Sequence, residues 1–151
     1  MQPWQATPRA QRIPLVLPAS LFSSVSPVEM KNAPASIRLF VYGTLKRGFC
    51  RHQALSGERF LGPARTAPEY QLVNVGTYPG LLKGTDTRRS IQGEVWEIRP
   101  DTLPRLDRIE GVDEGLYVRR PIVLLTPEFG RVEAYFYARP THGLPDCGEN
   151  W

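Results

Sequence analysis

Fifteen prolines divide this 151-residue chain into two parts that differ in their capacity to fold. Six of them precede residue 35, in a segment that also contains four serines and shows no sustained period of 2 or 3.6. Proline lacks the backbone N–H that helices and central strands use, and it therefore interrupts both patterns. We expect residues 1–35 to form a poorly ordered, flexible extension and residues 36–151 to form the folded domain.

The cellular location depends on how this extension is interpreted. It contains Arg9 and Arg12 and no acidic residue before Glu29, which weakly suggests a targeting peptide, and Met30 is a second candidate start. The two cysteines are too few for a disulfide framework, although a single bridge between them stays open. We expect a reducing, cytoplasmic location, or an organelle if the extension is a transit peptide.

Beyond residue 36 the apolar residues form short runs separated by glycine and proline. The predicted strands are residues 37–42, 70–75, 90–98, 116–125 and 131–139, the last two joined by a turn at 127–130, and the predicted helices are residues 49–55 and 101–110. Gly111 is the expected stop of the second helix. Several strands with two short helices favour an α+β domain with a curled or closed sheet. No run approaches the roughly 20 apolar residues of a membrane-spanning helix.

The second predicted helix directs one carboxylate toward the interior. At about 100° per residue, Leu103, Leu106 and Ile109 share one face. Glu110 falls within about 40° of Leu103 and Leu106, on the same apolar side. Desolvation raises the pKa of such a carboxylate toward neutrality, which makes it a competent general base. The alternative is that the helix frays at its end and that Glu110 reaches water.

The end of the first predicted strand is a second candidate site. The strand runs into Gly43, where its ladder of hydrogen bonds ends and consecutive backbone N–H groups become exposed. Glycine permits a positive φ, so these donors are able to converge on an anion or a carbonyl oxygen. The alternative is an ordinary junction between a strand and a turn. The adjacent Lys46 and Arg47 are either contacts for an acidic substrate or solvated side chains.

Four motifs occur in an order that is typical of one known family. They are Val-Tyr-Gly-Thr-Leu-Lys-Arg-Gly at 41–48, Tyr-Pro-Gly at 78–80, Gln-Gly-Glu-Val at 92–95 and Leu-Asp-Arg-Ile-Glu at 106–110, followed by Leu116-Tyr117 and Arg119-Arg120. Over about residues 37–139 the chain resembles the gamma-glutamylcyclotransferase-like superfamily, especially its gamma-glutamylamine cyclotransferase branch. Branches that act on glutathione have a Gly-Ser pattern where this chain has Gly-Thr-Leu, which argues against a glutathione-type substrate.

The resemblance implies an α+β fold built as a small mixed β-barrel flanked by short helices. It implies that Glu110 is the catalytic acid or base and that Tyr42, Gly43, Thr44 and Leu45 line the substrate pocket. The implied reaction closes a γ-glutamyl group into 5-oxoproline and releases an amine, with no cofactor and no metal. The expected partner is a small γ-glutamyl substrate, and the oligomeric state stays open. The alternative is a non-enzymatic member of the same fold that binds a metabolite or a protein.

Two other classes of function have weaker support. Cys50, His52, His142 and Cys147 are possible zinc ligands, but their spacing does not match a common zinc site. The net charge of +4 and the Arg47-Gly48-Phe49 sequence permit nucleic-acid binding. The charges are scattered, however, and no interleaved stacking aromatics accompany them. We expect no metal site, no nucleic-acid partner and no membrane partner.

Overall fold

A computed structural model describes residues 35–125 and 129–151. The predicted extension lies outside these ranges except for Ala35, and so do residues 127 and 128 of the predicted turn. The described elements are β1 (Ile37–Val41), a 3₁₀ helix (His52–Leu55), β2 (Arg59–Arg65), β3 (Tyr70–Asn74), β4 (Pro79–Lys83), β5 (Gln92–Ile98), α1 (Leu103–Ile109), β6 (Tyr117–Ile122) and β7 (Val132–Tyr137). The predicted helix at 49–55 is present only as the 3₁₀ helix. Within these ranges, no helix has the length and apolar character needed to span a bilayer.

The strands form a mixed five-stranded sheet and a separate hairpin. The sheet order is β2-β5-β1-β7-β6, with β1 parallel to β7 and the other neighbours antiparallel, while β3 and β4 form the hairpin. The α+β class is confirmed, but the sheet is not closed into a barrel. In the described ranges the edge strands meet through one bridge, between Thr66 and Leu124 beyond their ends. Each edge strand contains a proline, Pro63 or Pro121, which lacks the N–H that a continuous ladder would use.

Two of the strands, β2 and β4, are missing from the sequence-based prediction. β2 contains Gly62 and Pro63, which are typical turn residues. A register shift between Phe60 and Gly62 lets the strand continue, and the proline is tolerated because β2 lies at the edge of the sheet. β4 begins with Pro79 and Gly80, which the sequence also marks as a turn. The sequence-based prediction therefore missed both strands because they contain chain breakers, which are tolerated at the edges of sheets.

β1 is buried on both of its faces and separates two apolar clusters. Leu39 and Val41 belong to the cluster that includes Leu106 of α1. Phe40 and Tyr42 belong to the other cluster, together with residues of the β3–β4 hairpin. The alternation follows from the period of 2 along a strand. β1 therefore lies between two packed layers, and these layers hold the loop that follows it from both sides.

Candidate active site

α1 carries the candidate general base at its C-terminal end. The N-cap residue is Thr102, and Pro104 lies in the first turn, where its missing N–H costs no hydrogen bond. Glu110 is the C-cap residue, and its N–H still donates to the main-chain oxygen of Leu106 at 2.9 Å. Gly111 then adopts a φ of 67°, which ends the helix as predicted.

The apolar face of α1 agrees with the prediction at two of three positions. Leu103 and Leu106 are buried, whereas Ile109 is 36% exposed. The centre of the buried face lies between Leu103 and Leu106, and Ile109 is about 90° away from it in projection. Glu110 is about 10° from that centre and is only 8% exposed. The predicted inward orientation of this carboxylate is therefore observed, and fraying into solvent is not.

The loop after β1 requires its glycine for a reason that differs from the predicted one. Gly43 does not have a positive φ, but a Cβ at this position would lie 2.6 Å from Cγ of Pro79. The close approach of β4 therefore excludes any side chain here. Within the described residues, the N–H groups of Gly43, Thr44 and Leu45 have no hydrogen-bond acceptor, whereas the N–H of Lys46 donates to the oxygen of Gly43 at 3.1 Å. The predicted row of free donors is present.

This loop and Glu110 line one pocket, which has about 350 Å³ of empty space including its open mouth. The pocket brings together all five residues predicted for the site: Tyr42, Gly43, Thr44, Leu45 and Glu110. Its other lining residues are Phe40, Val41, Arg51, Tyr78, Pro79, Tyr117 and Tyr135. They come from β1, β4, β6, β7 and the segments between them, so only the folded chain assembles the pocket.

The electrostatics of the pocket are dominated by Glu110. Burial raises the pKa of Glu110 from its ordinary value of 4.5 to about 7, and the positive charge of Arg51 offsets part of that rise. Among the described residues, no donor forms a hydrogen bond with the carboxylate, so nothing else stabilises its charged form. Near neutral pH the group is present in both protonation states, as a general acid–base catalyst requires.

The model of the family described as gamma-glutamyl cyclotransferase, AIG2-like, matches residues 39–151. The chain belongs to this family. A Vibrio cholerae protein named "Putative gamma-glutamylcyclotransferase" is 39% identical over 113 residues, which cover 74% of this chain and 92% of that protein. The gamma-glutamylcyclotransferase family protein YtfP of Escherichia coli is 33% identical over 108 residues, which cover 72% of this chain and 88% of YtfP.

Solved structures of the family share the fold. The solution structure of Escherichia coli YtfP superposes with a TM-score of 0.60 at 34% identity and covers 76% of this chain and 96% of its own. The crystal structure of an AIG2-like protein from Mus musculus superposes with a TM-score of 0.62 at 27% identity, covering 78% and 89%. The superfamily predicted from the four sequence motifs is confirmed.

In this family member, three tyrosines form walls of the pocket and have their hydroxyl groups engaged. The Tyr42 hydroxyl donates to the main-chain oxygen of Tyr135 at 2.6 Å, and that of Tyr117 donates to the main-chain oxygen of Pro79 at 2.5 Å. The Tyr135 hydroxyl donates to the Asp107 carboxylate at 2.7 Å. Burial raises the pKa of all three tyrosines, so they stay neutral at physiological pH. These hydrogen bonds fix the orientation of the three side chains in the pocket wall.

Arg51 is a pocket residue that the sequence reading did not select. Its N–H donates to the main-chain oxygen of Thr44 at 3.0 Å, which ties it to the loop after β1. Its guanidinium lies 5.9 Å from the ring centroid of Tyr78. In the sequence, the one indication that Arg51 belongs to the site was its position shortly after the motif at 41–48, and this region contains many arginines. Only the fold distinguishes it from its neighbours.

Lys46 and Arg47 are directed to other contacts. The Lys46 ammonium is buried and donates to the Asn150 side chain at 2.8 Å and to the main-chain oxygen of Trp151 at 3.1 Å. Arg47 forms an ion pair with Glu94 at 3.1 Å. Neither residue is among those that line the pocket. Lys46 therefore anchors Asn150 and Trp151 to the loop, and the alternative of a solvated side chain was wrong for it.

The candidate zinc ligands do not form a cluster. Cys50 and Cys147 are both free thiols, so the disulfide that the sequence left open is not formed. His52 is engaged locally, with Nδ1 at 3.0 Å from the main-chain oxygen of Leu45. Across residues 35–125 and 129–151, no three histidine, cysteine or acidic side chains are grouped closely enough to hold a metal ion.

Proposed function

We propose that this family member is a γ-glutamyl cyclotransferase that converts a γ-glutamyl amine or amide into 5-oxoproline and a free amine. The observation that carries the proposal is Glu110, a buried carboxylate with a pKa of about 7 in the same pocket as the free N–H groups after β1. Membership of the family and the names of its relatives support a cyclotransferase. The pocket adds a group that is able to move a proton and donors that are able to hold an oxyanion.

The proposed substrate carries its own nucleophile. The α-amine of the γ-glutamyl group attacks the γ-carbonyl carbon and closes a five-membered ring. Holding the substrate in this folded conformation supplies much of the acceleration. The amine is largely protonated near neutral pH, so it must lose a proton before it attacks.

Glu110 is the proposed carrier of that proton. Its carboxylate accepts the proton from the α-ammonium group as the new C–N bond forms. When the old C–N bond breaks, the protonated carboxyl returns the proton to the departing amine. The ring nitrogen gives up a second proton after the attack, and Glu110 passes this proton on in the same way. The product is then a lactam with one N–H, the departing amine leaves as an ammonium ion, and Glu110 is regenerated. A pKa of about 7 lets the same group act in both directions.

Gly43, Thr44 and Leu45 are the proposed donors to the substrate. Negative charge develops on the γ-carbonyl oxygen when the amine attacks it. Main-chain N–H groups fixed by a turn stabilise this charge, or that of the substrate carboxylate, without reorganising during the reaction. Pro79 packs against Gly43 and holds the turn in place.

The test is a panel of γ-glutamyl compounds, including γ-glutamyl-ε-lysine, γ-glutamyl amino acids and γ-glutamyl amines, with 5-oxoproline as the measured product. We expect release by the wild type and loss of release in Glu110→Gln, which keeps the shape of the side chain but removes its basicity. Thermal unfolding of the variant checks that it is folded. Binding of these compounds without any 5-oxoproline would contradict the proposal and favour a non-enzymatic binding protein.

A further inference from the structure

A second, open groove adjoins the reaction pocket and shares one residue with it. The groove is lined by Arg51, Gln53, Ala54, Arg105 and Ile109. Arg51 also lines the pocket that contains Glu110. The groove is formed by the turn and 3₁₀ helix after β1 together with one face of α1. Arg51 is therefore the residue at which the pocket and the groove meet.

The groove is positively charged. Two of its five lining residues are arginines, and none of the five is acidic. In the described part of the chain, neither Arg51 nor Arg105 belongs to an ion pair. One N–H of Arg105 donates to the main-chain oxygen of Ala54 at 2.8 Å, which orients its guanidinium and leaves further donors available. Guanidinium groups are suited to carboxylates because their planar donors match the two oxygens.

The position of the reacting bond decides which half of the substrate reaches this groove. The γ-glutamyl half must lie between Glu110 and the donors of Gly43, Thr44 and Leu45, because its amine and carbonyl react there. Arg51 and Glu110 are the two charged residues in the lining of this pocket. An amine half that extends toward Arg51 reaches the groove, because Arg51 lines both the pocket and the groove.

Resting on the cyclotransferase activity proposed above, we infer that Arg51 and Arg105 form a subsite for an anionic group carried by the leaving amine. The protein accordingly prefers γ-glutamyl amides whose amine half bears a carboxylate over neutral or cationic analogues. Ile109, which is 36% exposed beside the two arginines, offers an apolar contact to the rest of that half. The structure thus selects among γ-glutamyl compounds by charge.

Three substrates that differ in one charge test this subsite. γ-Glutamyl-alanine has a carboxylate on the leaving half, γ-glutamyl-alaninamide has a neutral amide of nearly the same shape, and γ-glutamyl-ethylenediamine has a cation. We expect kcat/KM for 5-oxoproline release to be about fivefold to tenfold higher for the carboxylate than for the amide, and lowest for the cation. The preference should shrink as the salt concentration rises, because the groove is open to solvent.

Variants assign the preference to particular residues. Arg51→Gln and Arg105→Gln should each reduce the ratio of kcat/KM between γ-glutamyl-alanine and γ-glutamyl-alaninamide. Arg108→Gln is the matched control, because Arg108 is an exposed arginine on the same helix and is not among the groove residues. Each preference is a ratio measured within one variant, so any change in the ionisation of Glu110 cancels. Thermal unfolding checks that each variant is folded.

The possible failures are distinguishable. If none of the three substrates yields 5-oxoproline with the wild type, the proposed function is wrong, and the inferred subsite is wrong as well. If all three substrates react at equal rates, or the cationic substrate reacts fastest, the proposed cyclotransferase activity is supported but the inferred subsite is wrong. If Arg51→Gln slows all three substrates by the same factor, Arg51 contacts the γ-glutamyl half that they share, which also overturns the inference.

Discussion

The two ends of α1 each lie beside a buried glutamate, and the two glutamates differ in their electrostatics. At the N-terminal end, Glu58 accepts hydrogen bonds from the Thr102 hydroxyl at 2.5 Å and the Arg99 N–H at 2.8 Å, and it pairs with the Arg99 guanidinium at 3.0 Å. Burial raises the pKa of Glu58, but these donors outweigh burial and hold it below 4.5. At the C-terminal end, none of the described residues donates to Glu110, and burial raises its pKa to about 7.

The difference shows that burial alone does not decide the charge state of a carboxylate. Both side chains expose little surface, but Glu110 is the more deeply buried of the two, and Glu58 has donors that lower its pKa. The helix dipole acts in the same direction, because it favours negative charge at the N-terminus and disfavours it at the C-terminus. The carboxylate of Glu58 is therefore held by donors, whereas no described residue donates a hydrogen bond to the carboxylate of Glu110.

The largest predicted effect separates the two glutamates by activity. Glu110→Gln should lower kcat for 5-oxoproline release by about 10²–10⁴-fold, the usual contribution of a general base. Glu58→Gln should leave kcat within about twofold, because Glu58 lies at the opposite end of α1 from the pocket. Steady-state kinetics with a γ-glutamyl substrate measure both. Equal losses in the two variants would show that the assay reports folding and not catalysis.

The second prediction concerns the pH dependence of the wild type. Because the base must be deprotonated to accept a proton, kcat/KM should fall about tenfold per pH unit below a pKa of about 7. In Arg51→Gln this acidic limb should move to higher pH, since the charge of Arg51 lowers the pKa of Glu110. A profile measured from pH 5 to pH 9 tests both statements. A limb near pH 4.5 would mean that water or another donor solvates the carboxylate.

The third prediction gives the two glutamates opposite effects on stability. In the unfolded chain Glu110 has its ordinary pKa of 4.5, so between pH 4.5 and 7 the folded state binds its proton more tightly. Stability is therefore lost as the pH rises through this window, by about 3 kcal/mol at most. Glu110→Gln should recover part of that loss at pH 8 and show little difference at pH 4.5.

Glu58→Gln should do the reverse, since the lowered pKa of Glu58 adds stability above pH 4.5 that is lost in acid. At pH 8 we expect a loss of about 2 kcal/mol, from weakening hydrogen bonds to a charged acceptor. Urea unfolding at the two pH values measures the sign for each variant. Destabilisation by Glu110→Gln at pH 8 would mean that its carboxylate has a donor in solution.

The smallest predicted effect isolates one donor to Glu58. Thr102→Val removes the hydroxyl that donates to this carboxylate at 2.5 Å and keeps the size of the side chain. We expect a loss of about 1–2 kcal/mol in unfolding free energy, with kcat and KM unchanged. Glu58→Gln with Thr102→Val completes a double-mutant cycle. An additive result would show that the two groups do not interact in solution.

The sequence predicted the orientation of Glu110 better than it predicted the strands around the pocket. The inward direction of Glu110 followed from its angle relative to Leu103 and Leu106, which is a local property of the helix. The sequence-based prediction missed β2 and β4 because both contain proline and glycine, which favour turns. Strands tolerate these residues here only because β2 and β4 lie at the edges of sheets. The closed barrel implied by the resemblance was wrong, because β2 and β6 meet at a single described bridge.

Local patterns by themselves determined the α+β class, the amphipathic helix that ends at Glu110, and the junction between a strand and a glycine at Gly43. These features depend on periodicity and chain breakers within a few residues. Tertiary structure alone decided that no residue in the described ranges donates to the Glu110 carboxylate, that Pro79 excludes a side chain at Gly43, and that Arg51 reaches the pocket. Each of these facts depends on which distant segments meet, and the free energy of a buried charge is set by those neighbours.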